Sequence, residues 1–428
     1  MIDGPGAQTT GPGLSRRAAL GAVGLIAGAQ VAPTGSAGGQ GEPALAQPRP
    51  RDEREEVLEV GPGKRFPSLT LAGVFMNSDE RWANGYADAE RRAQMRFRLI
   101  VSPGPPGYYT NDSGSRSRRW PEVVGWPPYD GELRGPVTVE GEPGKPPPML
   151  DTDGYGDGVL YYQKGLFNTG AFDTTFKRLT FKGFRRQDGN GNYAAIRIGD
   201  NPSGPRHTVT FEDCEISGCD NGIMGGGGAQ SITVKRCYFH GNGNGNGRVH
   251  NIYIGMADEL IVDDLLSTRC TIGHLLKTRA ASTTIRNSRL LGGSGSESAC
   301  LDAPNAGVLD VDGLVCEKSA DSDASWIIHY AGENQDDAGM PFHPNSSIRL
   351  RDLTLLAPPE LKRHPASRVR GFANMSGAGA AVSGRGSRFI AADAQDIQAY
   401  GLPGQAAGLP ARVLSQRPPL DLRSPVSR

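Results

Sequence analysis

Val209-Thr-Phe211-Glu-Asp-Cys214, Ile232-Thr-Val234-Lys-Arg-Cys237 and Leu260-Ile-Val262-Asp-Asp-Leu265 share one pattern: apolar, any, apolar, two mostly polar or small residues, apolar. Leu179-Thr-Phe181-Lys-Gly-Phe184 precedes them. Thr283-Thr-Ile285-Arg-Asn-Ser288, with weaker outer positions, Leu309-Asp-Val311-Asp-Gly-Leu314 and Ile348-Arg-Leu350-Arg-Asp-Leu353 follow. Each copy reads as a strand with alternate side chains in a core, a polar turn, and a second strand. The middle apolar residues, Phe181, Phe211, Val234, Val262, Ile285, Val311 and Leu350, recur every 23 to 39 residues, the range of solenoid and propeller repeats.

Between Lys177 and Leu356 there is no long amphipathic helical stretch, which argues against helical and leucine-rich solenoids. A propeller blade needs about four hairpin-linked strands in roughly 40–50 residues, more than most of these units hold. What fits is an all-β solenoid of about three short strands per coil, each stacked in parallel on the next at about 4.8 Å. An open solenoid end invites aggregation, so a cap is expected. DERWANGYADAERRA, residues 79–93, places Trp82, Tyr86, Ala89 and Ala93 at helical spacing and suits an N-terminal capping helix. RFRLIV, residues 96–101, then starts the coil with Phe97, Leu99 and Val101 on one face.

These signals divide the chain into a linker at 47–75, a solenoid over 76–400 and a Pro-rich tail at 401–428, with FIAADA from Phe389 as one more rung. Residues 102–150, rich in Pro and Gly, read as a long irregular insert. The composition agrees: 428 residues with 60 Gly, 32 Pro and 37% hydrophobic residues suit many short strands joined by turns. With 46 basic and 46 acidic residues, no net field favours nucleic acid or an anionic membrane.

At the N-terminus, Ser15-Arg16-Arg17 precedes an uncharged run from Ala18 to Ala32, AALGAVGLIAGAQVA. This resembles a twin-arginine export signal, over residues 1–46, with cleavage near Ala44-Leu45-Ala46 or Gly35-Ser36-Ala37. The run is too short and too rich in Gly and Ala for a membrane span; a structureless leader is the plain alternative. The resemblance implies a periplasmic or secreted protein and the twin-arginine translocase as a transient partner. Six cysteines, Cys214, Cys219, Cys237, Cys270, Cys300 and Cys316, admit three disulfides. A chain this long needs no staples, and twin-arginine cargo folds before it meets an oxidising compartment, so buried thiols are the better reading.

The seven repeats, with HNIYIG at His250–Gly255, GHLLKTRA at Gly273–Ala280 and CLDAPNAG at Cys300–Gly307, resemble the pectin-lyase-like superfamily of right-handed parallel β-helices. The resemblance spans roughly Phe97 to Leu356. It implies a right-handed coil and carbohydrate chemistry, often β-elimination on acidic polysaccharides in a groove along the parallel strands. Several such lyases use calcium, but no dense Asp cluster on consecutive rungs predicts a calcium site here, and the Asp-Pro-His-Asp signature of the related mannuronan epimerases is absent. No pair of histidines has metal-ligand spacing.

Alternation locates a candidate site. Aligning the strands that precede each marker puts Ile196, Ile223, Ile252, Leu276, Leu301 and Ile328 inward, and their successors, Arg197, Met224, Tyr253, Lys277, Asp302 and His329, on the solvent side. Four consecutive coils thereby stack Tyr253, Lys277, Asp302 and His329, with Arg279 on the same face and Glu333 just beyond His329. A solvated ladder also yields polar columns. Elimination beside a uronate needs a base, a cation on the carboxylate and an acid for the leaving oxygen. Lys277 and Arg279 suit carboxylate clamps, His329 or Tyr253 the proton transfers. Arg197, Glu333, Trp120 and Trp126 are candidate substrate-binding residues. A hydrolase needs two carboxylates roughly 5–9.5 Å apart, for which Asp302 and Glu333 are candidates. A non-catalytic polysaccharide-binding or envelope-associated solenoid is the third reading. By the same alternation His250 points inward. Asp213, Asp264, Asn287 and Asp352 share one turn position and read as side chains bonding turn backbone.

Overall fold

Among the residues that the computed structural model describes, every inter-strand pairing is parallel, and the strands stack in three columns. The described residues are 55–77, 95–104, 124–125, 136–151, 165–170, 172–185, 193–199, 204–245, 247–333, 342–358, 361–362, 369–374, 381–385 and 388–390. The chain divides into two units, Met1–Arg51 and Asp52–Arg428, and all described residues belong to the second. One coil shows the plan. Thr208–Glu212 lies in the first column, Glu215–Ser217 in the second and Asn221–Gly225 in the third. The next coil repeats it with Ser231–Lys235, Tyr238–His240 and Ile252–Ile254, each hydrogen-bonded to its predecessor in register. Two ten-residue strands, Ser282–Leu291 and Val308–Glu317, bend through the corner and belong to both the first and second columns. The protein is a parallel β-solenoid.

The repeat pattern follows from this geometry. Its two apolar positions point into the coil: Val209, Phe211, Ile232, Val234, Leu260, Val262, Ile285, Leu309, Val311, Ile348 and Leu350 are at most 1% exposed. Each such side chain contributes about 1.5–3 kcal/mol by leaving water. The third apolar position turns the corner inward, as Cys214, Cys237, Leu265, Leu314 and Leu353 do. All six cysteines are free and buried, and burial pushes the Cys219 and Cys270 thiols up to about 12. Toward the N-terminal end Phe176 stacks on Phe211 with ring centroids 5.3 Å apart, and Phe167 and Phe181 pack edge-on against Phe176. Phe181, however, pairs with Ile216 in the second column, and the residue level with Phe211 is Phe176. The first copy of the repeat therefore begins one strand earlier than its apolar spacing suggested.

The residue just before the third apolar position adopts the left-handed conformation in seven consecutive coils: Arg178, Asp213, Arg236, Asp264, Asn287, Gly313 and Asp352 have φ between 47° and 74°. That conformation costs an ordinary L-residue about 1–2 kcal/mol and is least unfavourable for Gly, Asn and Asp. The shared turn position is thus selected by backbone geometry. The side chains do not chiefly cap the turn: Asp213 pairs with Arg236, 2.7 Å away, and Asn287 donates to Asp263 at 3.2 Å. Asp264→Val is expected to lose about 1–2 kcal/mol of stability and Asp264→Gly none, measured by urea denaturation.

The first column carries a line of charges that alternate in sign from Glu140 to Arg351, after which Arg385 repeats the sign of Arg351 at the next rung. Glu140, Lys177, Glu212, Lys235, Asp263, Arg286, Asp312 and Arg351 are paired rung by rung along eight coils. Lys177 meets Glu212 at 3.0 Å and Arg351 meets Asp312 at 2.9 Å. Each exposed pair contributes little, but like charges directly opposite would destabilise the stack.

Two sequence boundaries move. In the stretch read as linker, Glu55–Val60 is a strand that pairs with Arg96–Val101, and Leu69–Asn77 is a helix whose first turn is capped by Ser68, its Oγ accepting from the Leu71 N–H at 3.2 Å. In the stretch read as insert, Val137–Gly141 is a full rung between Arg96–Val101 and Thr174–Lys177, and Met149–Asp151 pairs with Thr180–Lys182. The expected capping helix at 79–93 and the signal at 1–46 lie outside the described residues, as does the tail. At the far end Arg388–Ile390 pairs with Thr354–Leu356 as a further rung. No helix among the described residues is long and apolar enough to cross a membrane.

Candidate functional site

The third column runs through Val124–Gly125, Gly165–Asn168, Ala194–Ile198, Asn221–Gly225, Ile252–Ile254, His274–Thr278, Ala299–Ala303, Trp326–Tyr330 and Arg370–Asn374. Its inward residues Ile196, Ile223, Ile252, Leu276, Leu301 and Ile328 are fully buried. Its register pairs Arg197 with Met224, Met224 with Tyr253, Tyr253 with Lys277, Lys277 with Asp302 and Asp302 with His329. The outer column is the one the alternation gives, but it is not a solvent-facing ladder. Lys277, Arg279 and Asp302 are only 8%, 6% and 2% exposed, a burial that charged groups tolerate only when paired.

The cover comes from the turn after the Trp326–Tyr330 strand. Ala331 takes a left-handed φ of 57°, and Gly332 passes so close to His329 that a Cβ there would lie 1.7 Å from the imidazole Cε1. Only glycine fits. The turn carries Glu333 back over the column, where one carboxylate oxygen accepts from Lys277 Nζ at 2.5 Å and the other from Arg279 Nη2. This settles the direction of Glu333, which alternation could not supply. Arg279 also donates through Nε to the Tyr253 hydroxyl, 3.0 Å away, and through Nη1 to Asn305 Oδ1.

Asp302 is the second anion. Its Oδ2 receives Lys277 Nζ at 3.2 Å and His274 Nε2 at 3.1 Å, and its Oδ1 receives His329 Nδ1 at 2.9 Å. Burial alone would raise its pKa, yet His274, His329 and Lys277 outweigh burial and hold the carboxyl well below the usual carboxylate range. Burial likewise opposes the Glu333 charge, and Lys277 and Arg279 more than compensate, so its pKa is lowered too. Because ionised Asp302 can only accept, a proton sits on His329 Nδ1, so the neutral form of this imidazole has its lone pair on Nε2. The His329 ring stacks on Trp326 with centroids 4.8 Å apart.

His274 and His250 complete the cluster. Leu275 and Leu276 are both fully buried, so simple alternation fails at the start of that strand and His274 reaches the outer face. His250 does not point into the coil as expected: its ring stacks on His274 at 4.9 Å and meets Tyr253 at 5.5 Å, and its Nδ1 accepts the His274 backbone N–H at 3.0 Å. Burial lowers the pKa of both imidazoles, His250 strongly, which keeps them neutral. His343 Nε2 lies 2.9 Å from the Arg279 carbonyl. Three of the seven histidines, His250, His274 and His343, thus gather around a column that already contains a fourth, His329.

Arg197 lies on the same column but apart from this cluster, and its Nη1 contacts Met224 Sδ at 3.4 Å. Trp120 and Trp126 lie outside the described residues. His274, Asn305 and Trp326 were not singled out as site residues, although the quoted runs GHLLKTRA and CLDAPNAG contain the first two. Among the described residues no group of three or more His, Cys, Asp or Glu is arranged to hold a metal ion. Neither a protein-family model, nor a curated protein, nor a solved structure matches the chain.

Proposed function

We propose that the chain is an exported polysaccharide lyase of the pectin-lyase-like, right-handed β-helix type, acting on a uronate-containing glycan by β-elimination. The observation that carries this reading is a carboxylate seat beside a carboxylate-backed imidazole. Lys277 and Arg279 together grip a carboxylate, and His329, held by Asp302 through Nδ1, stands two rungs along from Lys277 with its Nε2 beside Gly332. Right-handedness rests on the strong preference of parallel strand crossovers for that hand.

In this reading the sugar carboxylate lies between Lys277 and Arg279, which neutralise the charge that builds up as the adjacent C5–H bond breaks. His329 Nε2 takes that proton, with Asp302 stabilising the resulting imidazolium. The C5 electron pair forms the C4–C5 double bond, and the C4–O bond breaks. Tyr253, whose oxygen already accepts from Arg279, donates its hydroxyl proton to the departing oxygen. Lys277 and Arg279 supply the positive charge, so no metal is written into the steps. Arg197, along the same column, would contact the polymer further from the scissile bond.

The hydrolase reading is less well supported, because it requires one carboxyl group kept protonated as the acid. Asp302 and Glu333 are both held below the ordinary carboxylate range by the cations they share. The partner class is therefore an acidic polysaccharide, with the translocase engaged only during export.

Incubation of the purified protein with a panel of acidic polysaccharides tests the reading. We expect unsaturated uronates that absorb in the ultraviolet. New reducing ends without that absorbance would replace the lyase by a hydrolase, and affinity without products would leave a binding protein.

A further inference from the structure

The two carboxylates on Lys277 are held in unlike ways. Asp302 belongs to a strand, is fixed by its rung pairing on both sides, and has three donors on its two oxygens. Glu333 follows a left-handed residue and a glycine, lies beyond the last paired residue of its strand, and keeps a side chain 29% exposed against 3% for Asp302. Its contacts use one oxygen on each cation, Oε1 on Lys277 and Oε2 on Arg279, a demand that any free carboxylate can meet. Among the described residues Lys277 and Arg279 have two carboxylates between them, and without Glu333 there would remain Asp302, which pairs with Lys277 and not with Arg279. Such a site strongly favours an anion.

We propose that Glu333 is a resident surrogate for the ligand, occupying a carboxylate seat until the carboxylate of an acidic sugar displaces it. The identity of the ligand as a uronate rests on the lyase reading; the seat itself does not. The arrangement fills the site in the absence of ligand and lets entry of the correct group exchange one ion pair for another of the same kind. Neutral sugars cannot make that exchange, because displacing Glu333 with a hydroxyl would leave both cations under-compensated. The seat thus selects acidic residues at that one position of the polymer.

The test uses the full chain with Glu333→Ala and Glu333→Gln. Thermal unfolding of each is followed in formate, in glucuronate and in chloride at matched ionic strength, each on the order of 0.1 M, a concentration at which weak anion binding gives measurable stabilisation. Formate and glucuronate are expected to raise the midpoint of both variants by about 2 °C or more over chloride, and to change the wild type far less, since Glu333 competes. Should the variants fail to fold in chloride, formate added during refolding is expected to recover the β-sheet circular dichroism signal. Variants that behave identically in formate, glucuronate and chloride, folded or unfolded, would overturn the seat. Carboxylate rescue with no product from any polysaccharide would retain the seat and discard the lyase, whereas turnover without rescue would do the reverse.

Discussion

His329→Ala is expected to lower turnover of an acidic polysaccharide by about 10²–10⁴-fold, the usual contribution of a positioned general base. The loss should fall on kcat far more than on KM, because the imidazole handles the proton while Lys277 and Arg279 hold the carboxylate. A comparison with His329→Gln separates chemistry from packing: Gln can still donate to Asp302 and lie against Trp326 but cannot accept the proton at neutral pH. If His329→Ala retains wild-type activity on a confirmed substrate, the acid–base assignment is wrong and the proton transfers must lie elsewhere in the column.

The largest effect on stability is expected at Asp302. Its carboxylate is almost fully buried and accepts from His274, His329 and Lys277, so Asp302→Ala strands a buried ammonium and two imidazoles at once. Removing one partner of such a buried network costs about 3–5 kcal/mol, to be read from urea denaturation at pH 7. The pH dependence follows from the sign of the shift. The folded-state pKa of Asp302 is lowered, so its contribution is present above the ordinary carboxylate pKa and lost as pH falls through the lower folded value. The gap between wild type and Asp302→Ala should therefore persist down to about pH 4 and close only below it. His250 and His274, whose pKa values are also lowered, make an earlier contribution of the same sign: stability declines as pH falls below the free-imidazole value, about 6.5. A gap that closes already between pH 6 and 5 would contradict the ion-pair account of Asp302.

How much of this was written in the sequence differs by level. The coil register was legible because period-2 burial is insensitive to loop length: one aligned inward residue, such as Ile252 with Leu276, fixes the neighbours of Tyr253 and Lys277. The rungs at Glu55–Val60 and Val137–Gly141 were not, because each carries too few apolar residues amid charged, Pro- and Gly-rich flanks for its alternation to stand out. The site was half legible. Strand residues Tyr253, Lys277, Asp302 and His329 came from alternation, whereas Glu333 depends on the conformations of Ala331 and Gly332, and His274 on a local break in alternation beside Leu275. Burial was missed for the same reason. A strand pattern tells which side a residue faces, and only the returning turn tells what covers it.

The charge column on the first sheet constrains how such a molecule can change length. From Glu140 to Arg351 the sign inverts at each coil, so the surface has a repeat of two coils although the backbone has a repeat of one. Within that stretch, duplicating or deleting a single internal coil would bring two like-charged residues into register at the seam, as Arg351 and Arg385 already stand at its end, while adding or removing a pair would leave the alternation intact. Parity, which the hydrophobic interior cannot register because each of its layers accepts any other of similar volume, is therefore recorded in the order of charges outside. Growth of this solenoid by recombination should be tolerated in even steps.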